Sequence, residues 1–523
     1  MTSSAESLGP RGRRLLATPG VVLVLALVVI PFVELARRTI DSDALLEVWS
    51  RSGIGDSLRF TVLETIASTV VTLLLGLGPA WAFSHHSMPG HRFATAVATV
   101  PFMMPTVVVA AAFLGLLPGT IERGTIAVVI AHAYFNVAVV VRTVAPVWAT
   151  IDPMLLSAAR NLGASRVRAF TTISLPLLRP ALLSASAIVG FMCATSYGVV
   201  RMLGGGDATI EVEVYRRAAM FGDIPGATTL ATAQLIVAVV CLFVWLGKDR
   251  VVFVDSSHRS RRRDRTSARV IAAATVVITA VPLIALVGFS FRARGHWTLS
   301  GWRTLLDGAT IPGLRLEVSD VLWRSLLFAL IAAAIAVPIG VAVSTATATV
   351  PGRSLVDRIL TIPLGASAVA MGLGIVITYD VAPFDFRSSW WLIPVVHAVI
   401  ALPFVIRIVQ PVQAGIPTHL RDVAATLGAS PVRTWATIDF PLVSGAIRTA
   451  IGLSLAISLG EFGATSFLSR GDTETLPIAV ERLLGRSGDL ARLTGHAVAV
   501  VLLGITVAAL ALTMRSRRTW EAS

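Results

Sequence analysis

The chain has 523 residues, 55% of them hydrophobic and only 14% charged, with a mean hydropathy of +0.78. Soluble domains carry about 25% charged residues, so composition alone excludes an ordinary soluble fold and defines a polytopic membrane protein. The net charge of +14 does not point to nucleic acid, because the basic residues cluster in short segments between apolar runs, as the positive-inside rule requires.

A bilayer core of about 30 Å needs roughly 20 apolar residues per helix. The first such run covers about 20–38 and follows Arg11, Arg13 and Arg14. No small-residue cleavage site precedes Glu34 and Arg37-Arg38, so it reads as an uncleaved first span. Further runs lie near 60–84, 94–117, 125–148, 177–200 and 228–247. A second set lies near 268–291, 322–346, 358–380, 390–411, 442–466 and 493–514. The expected architecture is therefore all-α, with about twelve spans as two six-helix halves, 20–247 and 268–514. They are flanked by tails 1–19 and 515–523 and joined by a basic linker at 248–267. The linker region holds Lys248, Arg250, Arg259, Arg261, Arg262, Arg263, Arg265 and Arg269, and the tail holds Arg515, Arg517 and Arg518. With six spans per half, both termini and the linker are expected in the cytoplasm. Loops 39–59, 201–227 and 467–492 then face outward and mix both signs, as at Asp41, Asp43, Glu47, Glu211, Glu213, Asp472 and Glu474; the outer segment 292–321 is more basic than the rule prefers. Cys193 and Cys241 both lie inside apolar runs and imply neither a metal site nor a disulfide framework. Lys248 is the only lysine and sits in no G-x-x-x-x-G-K-[ST] loop, so ATP hydrolysis through a P-loop of this chain is excluded.

One polar segment occurs twice. Ser157-Ala158-Ala159, Gly163, Ile173, Leu175 and Pro176 correspond to Asp422-Val423-Ala424, Gly428, Ile438, Phe440 and Pro441 at a constant offset of 265 residues. His132 and His397, Arg142 and Arg407, and Pro146 and Pro411 share that offset, and Ser196-Tyr197-Gly198 matches Glu461-Phe462-Gly463. Ile210 to Arg216 resembles Leu476 to Arg482 after a one-residue shift. Each copy holds an even number of spans, so the repeats are parallel, with a translocation pathway expected between them. In each loop small residues let another surface approach a helix closely, and a glycine permits the angles that end that helix and redirect the chain. The following segments, Arg166 to Ile173 and Pro431 to Ile438, suit a short helix lying in a groove or at the membrane interface.

The spacing small-small-x3-Gly-x9-Ile-x-(Leu/Phe)-Pro resembles the EAA loop of the membrane subunits of bacterial ABC importers, and the likeness covers nearly the whole chain as two fused type I permease halves. Ser157 and Asp422 stand where the family motif begins with an acid, and Val423 replaces the usual alanine. The resemblance implies that both loops are coupling helices docking on a cytoplasmic ATPase dimer, which would hold the ATP and magnesium. This chain would bind no cofactor of its own, and an extracytoplasmic solute-binding protein would deliver the solute. The outer segments Leu203 to Tyr215 and Thr473 to Pro477 look like those of the thiamine and ferric-iron permeases, the Glu-Val-Glu-Val-Tyr version being closer to the thiamine type. A secondary transporter is the rival class and predicts ionisable residues near the midplane.

Ser196, Tyr197, Glu461 and Phe462 are expected to border the pathway or its outer gate. Glu461 would either face a cationic solute or simply sit hydrated at the interface. His132 and His397 suit a helix interface better than a metal site. Arg142 and Arg407 would snorkel or contact the loops. Pro101, Pro105, Pro338, Pro363 and Pro403 could kink spans and leave backbone groups free to line a cavity.

Overall fold

The computed structural model describes residues 10–40, 53–84, 90–247, 266–307, 317–348, 355–381, 386 and 389–515. In chain order the helices are α1 (Pro10–Val24), α2 (Ile30–Ile40), α3 (Ile54–Phe83), α4 (His91–Thr99), α5 (Thr106–Leu116) and α6 (Thr125–Thr150). Then come α7 (Pro153–Asn161), α8 (Arg166–Ala169), α9 (Leu175–Ala194), α10 (Gly198–Leu203), α11 (Ile210–Tyr215), α12 (Ile224–Gly247) and α13 (Thr266–Phe289). A two-stranded hairpin, β1 (Arg292–Ala293) with β2 (His296–Trp297), precedes α14 (Ser300–Leu306), α15 (Val318–Thr347), α16 (Leu355–Gly365), α17 (Ala368–Tyr379) and α18 (Leu392–Ala414). The chain closes with α19 (Thr418–Thr426), α20 (Pro431–Thr434), α21 (Phe440–Gly460), α22 (Gly463–Leu468), α23 (Leu476–Leu484) and α24 (Asp489–Arg515).

Every one of the twelve expected spans contains helix. Among the described residues nine helices are long and apolar enough to cross a bilayer, and α16 with α17, bent by 106°, makes a tenth. The run near 94–117 is broken into α4 and α5 around Pro101 and Pro105, where proline removes a donor from the ladder. The bend between α16 and α17 follows Pro363 in the same way. Pro338 and Pro403, in contrast, lie inside continuous helices. The linker residues 248–265, the acidic residues 41–47 and the tail arginines 517 and 518 lie outside the described residues.

The contacts divide the chain into two compact units that cut across the sequence repeat. One holds residues 49–213 and 240–297; the other holds 1–48, 214–239 and 298–523. The repeat runs over 20–247 and 268–514, so each unit takes its first span from the other half.

In the unit built on 49–213, α3 is inside-out compared with a water-soluble helix. Ser57, Thr61, Glu64, Ser68 and Thr72 are buried, whereas Leu58, Val62, Leu63, Ile66, Val70, Leu74 and Leu75 are exposed. Exposed apolar and buried polar side chains are what a hydrocarbon solvent selects. The hydroxyls of Thr61 and Thr72 donate to the carbonyls of Ser57 and Ser68, each at 2.6 Å, so burial leaves them satisfied. α3 lies against α6 through Gly76, where a Cβ would stand 2.7 Å from Val140 Cβ. Helix α13 joins this unit, with the Tyr134 hydroxyl donating to the Thr279 carbonyl at 2.7 Å.

The unit built on 298–523 repeats the close crossing. A Cβ at Gly340 on α15 would meet Val405 Cγ1 of α18 at 2.4 Å. Small residues at such crossings are how helices associate where lipid is as apolar as leucine. The first span, α1 and α2, belongs here, with Gly20 against Val343, Ile339 and Leu360. Between α1 and α2 the chain forms a π-helical turn at Leu25–Val29. Pro31 offers no N–H to the carbonyl of Ala26, and the Tyr379 hydroxyl supplies the missing donor at 2.6 Å.

Candidate functional site: paired loops and buried histidine clusters

The two polar segments share one backbone pattern, although only α7 has a side-chain cap at its start. Asp152 caps α7 by accepting from the Met154 amide, and Pro153 opens the helix at a position that needs no donor. α7 ends at Gly163 with φ +87° and α19 at Gly428 with φ +77°. The Gly163 amide donates to Arg160 O and the Ala164 amide to Ala159 O, each at 3.0 Å. Gly428 and Ala429 repeat the pattern on Ala425 and Ala424 at 3.0 and 2.9 Å. These paired bonds form the Schellman ending, which requires a left-handed residue and so explains the glycine. Ser165 and Ser430 then cap the next helix by accepting from the Arg168 and Arg433 amides. A π-helical turn follows in both copies, at Phe170–Ser174 and Trp435–Asp439, and each leads without a break into its span.

The surface of the loops is apolar in register. Leu155 and Leu420, Leu162 and Leu427, and Val167 and Val432 are all exposed, the middle pair by 89% and 81%. Ser157, Ala158, Leu175 and Pro176 are exposed, as are Val423, Phe440 and Pro441. Ala159, Ile173, Asp422 and Ile438 are half-buried and Ala424 is buried. Arg142 and Arg407 are exposed on their helices.

The chemistry of the copies differs. Arg421 pairs with Asp439 through both Nε and a terminal nitrogen at 2.8 Å; the equivalent positions in the first copy are Leu156 and Ser174. Ser157 turns back onto Pro153 O at 3.1 Å, whereas Asp422 Oδ1 is buried without a hydrogen bond.

At the opposite end of the flanking spans each unit buries a histidine cluster. His132 Nδ1 lies 2.5 Å from Glu64 Oε1 and its Nε2 lies 2.8 Å from Ser196 Oγ. Ser68 Oγ donates to the same Glu64 oxygen at 2.5 Å, and Asn136 Nδ2 reaches Cys193 Sγ at 3.6 Å. His397 Nδ1 lies 2.8 Å from Ser458 Oγ, and its Nε2 lies 2.9 Å from Thr465 Oγ1 and 3.3 Å from Glu461 Oε2. Glu461 also accepts from the Ala464 and Thr465 amides at 2.8 and 2.9 Å, capping α22, and from the Thr465 hydroxyl. Ser196, Tyr197, Glu461 and Phe462 are all buried, and all four lie in the chain breaks before α10 and α22. Glu64, His132 and Cys193 hold potential ligand atoms within 4.8 Å of one another, but both ring nitrogens already have hydrogen-bond partners, so the geometry is that of a buried polar network.

The repeat offset pairs Cys193 with Ser458, Ser196 with Glu461 and Asn136 with Ala401. The hydroxyls of Thr61 and Ser325 accept from the amides of Ile210 and Leu476, which places Glu64 opposite Phe328 in the repeat. One carboxylate thus accompanies each histidine, but it arrives from α3 in one unit and from the break after α21 in the other. Sequence reasoning passed over Glu64; the signal was available as an ionisable residue inside a span, on a stripe with Ser57, Thr61, Ser68 and Thr72. Arg421–Asp439 carries no such signal, because two charges 18 positions apart meet only through the turn at Gly428.

Residues 72–248 match the family described as binding-protein-dependent transport system inner membrane component. The chain is 23% identical over 475 residues to the thiamine transport system permease protein ThiP of Brucella abortus (strain 2308), covering 85% of this chain and 84% of the relative. ThiP of Brucella suis biovar 1 (strain 1330) is 24% identical over the same share. The putative 2-aminoethylphosphonate transport system permease protein PhnV of Salmonella typhimurium (strain LT2) is 31% identical over 152 residues, 29% of this chain and 56% of the relative.

Proposed function

We propose that this chain is the membrane-spanning subunit of an ABC importer that takes up a thiamine-like solute delivered by an extracytoplasmic binding protein. Two copies of a separate ATPase would dock on α7–α8 and α19–α20 and supply the ATP chemistry. The observation that carries this reading is the duplicated, Schellman-ended loop with exposed Leu155, Leu162 and Val167 matched by Leu420, Leu427 and Val432. Apolar side chains exposed in register at 265-residue intervals suit two identical partners better than solvent. The basic linker favours the cytoplasm as the side on which these loops emerge. The thiamine-like solute rests on the likeness to the two ThiP proteins over most of the chain.

Single cysteines at Leu162 and Leu427 provide the test, in the full transporter reconstituted with its ATPase and binding protein. Each is expected to cross-link to the ATPase, and vesicles are expected to accumulate radiolabelled thiamine only with ATP. Cross-linking at neither position would remove the docking assignment; accumulation of ferric iron in place of thiamine would transfer the solute to the iron class.

A further inference from the structure

We propose that His132 and His397 are positioning residues of the transport cycle, each fastening the far end of a helical hairpin whose near end carries an ATPase-coupling loop. The inference rests on the coupling reading above.

In the first copy the hairpin consists of α6, the loop and α9. At the loop end Trp148 stacks on Phe170, with ring centroids 6.0 Å apart. At the far end, about 27 Å along α6 from its last residue at 1.5 Å per residue, His132 bonds Ser196 just past the end of α9. Between these points α9 is an unbroken helix of 20 residues, about 30 Å long. The second copy is built alike: Trp435, at the position of Phe170, packs on the cluster of α15, α18 and α21 that includes Val405 and Val409, and His397 bonds Ser458, Glu461 and Thr465 at the far end.

His132 bonds the chain break itself, whereas His397 straddles the second break, bonding Ser458 in the last turn of α21 and Thr465 in α22 and pairing with Glu461 between them. Ser196 lies between α9 and α10, and its carbonyl accepts from Thr209 Oγ1 at 3.4 Å. The next residue, Ile210, is held to Thr61 of α3. Glu461 likewise ends α21 and caps α22 through the Ala464 and Thr465 amides. A displacement at the loop therefore travels along a stiff helix to the point where the backbone can change direction. With the histidine in place the two hairpin arms move together; without it the break can absorb the displacement. The histidine stands at the same position in both copies while the groups around it are exchanged, so a two-sided hydrogen bond at that point is what the repeat retains.

The test uses the full transporter with ATPase and binding protein in vesicles, radiolabelled thiamine as probe, and His132→Leu, His397→Leu and the corresponding Gln variants. All four should bind the ATPase at wild-type stoichiometry, and thiamine taken up per ATP hydrolysed should fall in the order wild type, Gln, Leu, with Leu at least fivefold below wild type. Assembled Leu variants within twofold of the wild-type ratio would overturn the proposal. So would Leu variants that fail to assemble while the Gln variants assemble and keep the wild-type ratio, since that marks a merely structural role. Absence of the Leu162 and Leu427 cross-links from the wild-type transporter, in contrast, would show that the coupling reading itself had failed.

Discussion

The two histidine clusters solve one problem with different parts. Around His132 the carboxylate comes from α3 and the break contributes only a hydroxyl; around His397 the break contributes the carboxylate and α15 offers Phe328 at the corresponding position. The paired polar loops show the same division. The glycine, the capping serine and the π-helical turn are kept, whereas Arg421 and Asp439 stand against Leu156 and Ser174. Residues that dictate backbone path stay in register, and residues that supply charge are exchanged between the copies.

That rule is most directly broken at the glycines. Gly163→Pro and Gly428→Pro each force φ near −65° where the chain needs about +80°, and each deletes an amide that bonds the end of the helix. Uptake of the proposed solute is expected to fall more than tenfold while the protein still inserts, measured in vesicles alongside membrane yield. Gly163→Ala should cost only about 1–2 kcal/mol locally, the usual left-handed penalty, and reduce uptake less.

The next effect separates the two carboxylates. Both Glu461 oxygens accept hydrogen bonds, so Glu461→Gln turns an amide group against donors and should cost about 1–3 kcal/mol. At Glu64 the hydrogen bonds from Ser68 and His132 share a single oxygen and Oε2 has none, so Glu64→Gln can keep its acceptor in place. A larger fall in melting temperature for the Glu461 variant is expected; equal falls would show that the clusters are equivalent after all.

The smallest effect is expected from making the second loop resemble the first. Arg421→Leu alone removes the arginine that pairs with Asp439 in a site where it is 9% exposed, and should cost about 1–3 kcal/mol. Adding Asp439→Ser should recover most of that loss, giving a coupling energy of about 1 kcal/mol or more in a double-mutant cycle read by thermal unfolding.

Span positions and the paired loops were legible because hydropathy and a fixed 265-residue offset are local or periodic signals. Gly163, Gly428, Ser165 and Ser430 each act on backbone within five residues, and their geometry follows from residue type. The histidine pair was legible as a repeat but not as a cluster. Glu64 reaches His132 across 68 positions, through a helix crossing that Gly76 and Val140 set, and no spacing in the sequence encodes that crossing. The exchange of first spans was hidden for the same reason, because the composition of a span does not say which helices it joins.

That exchange has a consequence for how the chain is made. The first span is synthesised at the start, yet its packing partners, α15 to α17, begin at residue 318. At ~5–20 residues per second, on the order of 15 to 60 s pass before those partners exist. During that interval the nascent first span, with its π-turn carbonyl at Ala26 awaiting Tyr379, is a helix without its bundle. Fusing both halves in one polypeptide keeps the waiting helix tethered to these partners, so assembly becomes an intramolecular search rather than an encounter between separate subunits.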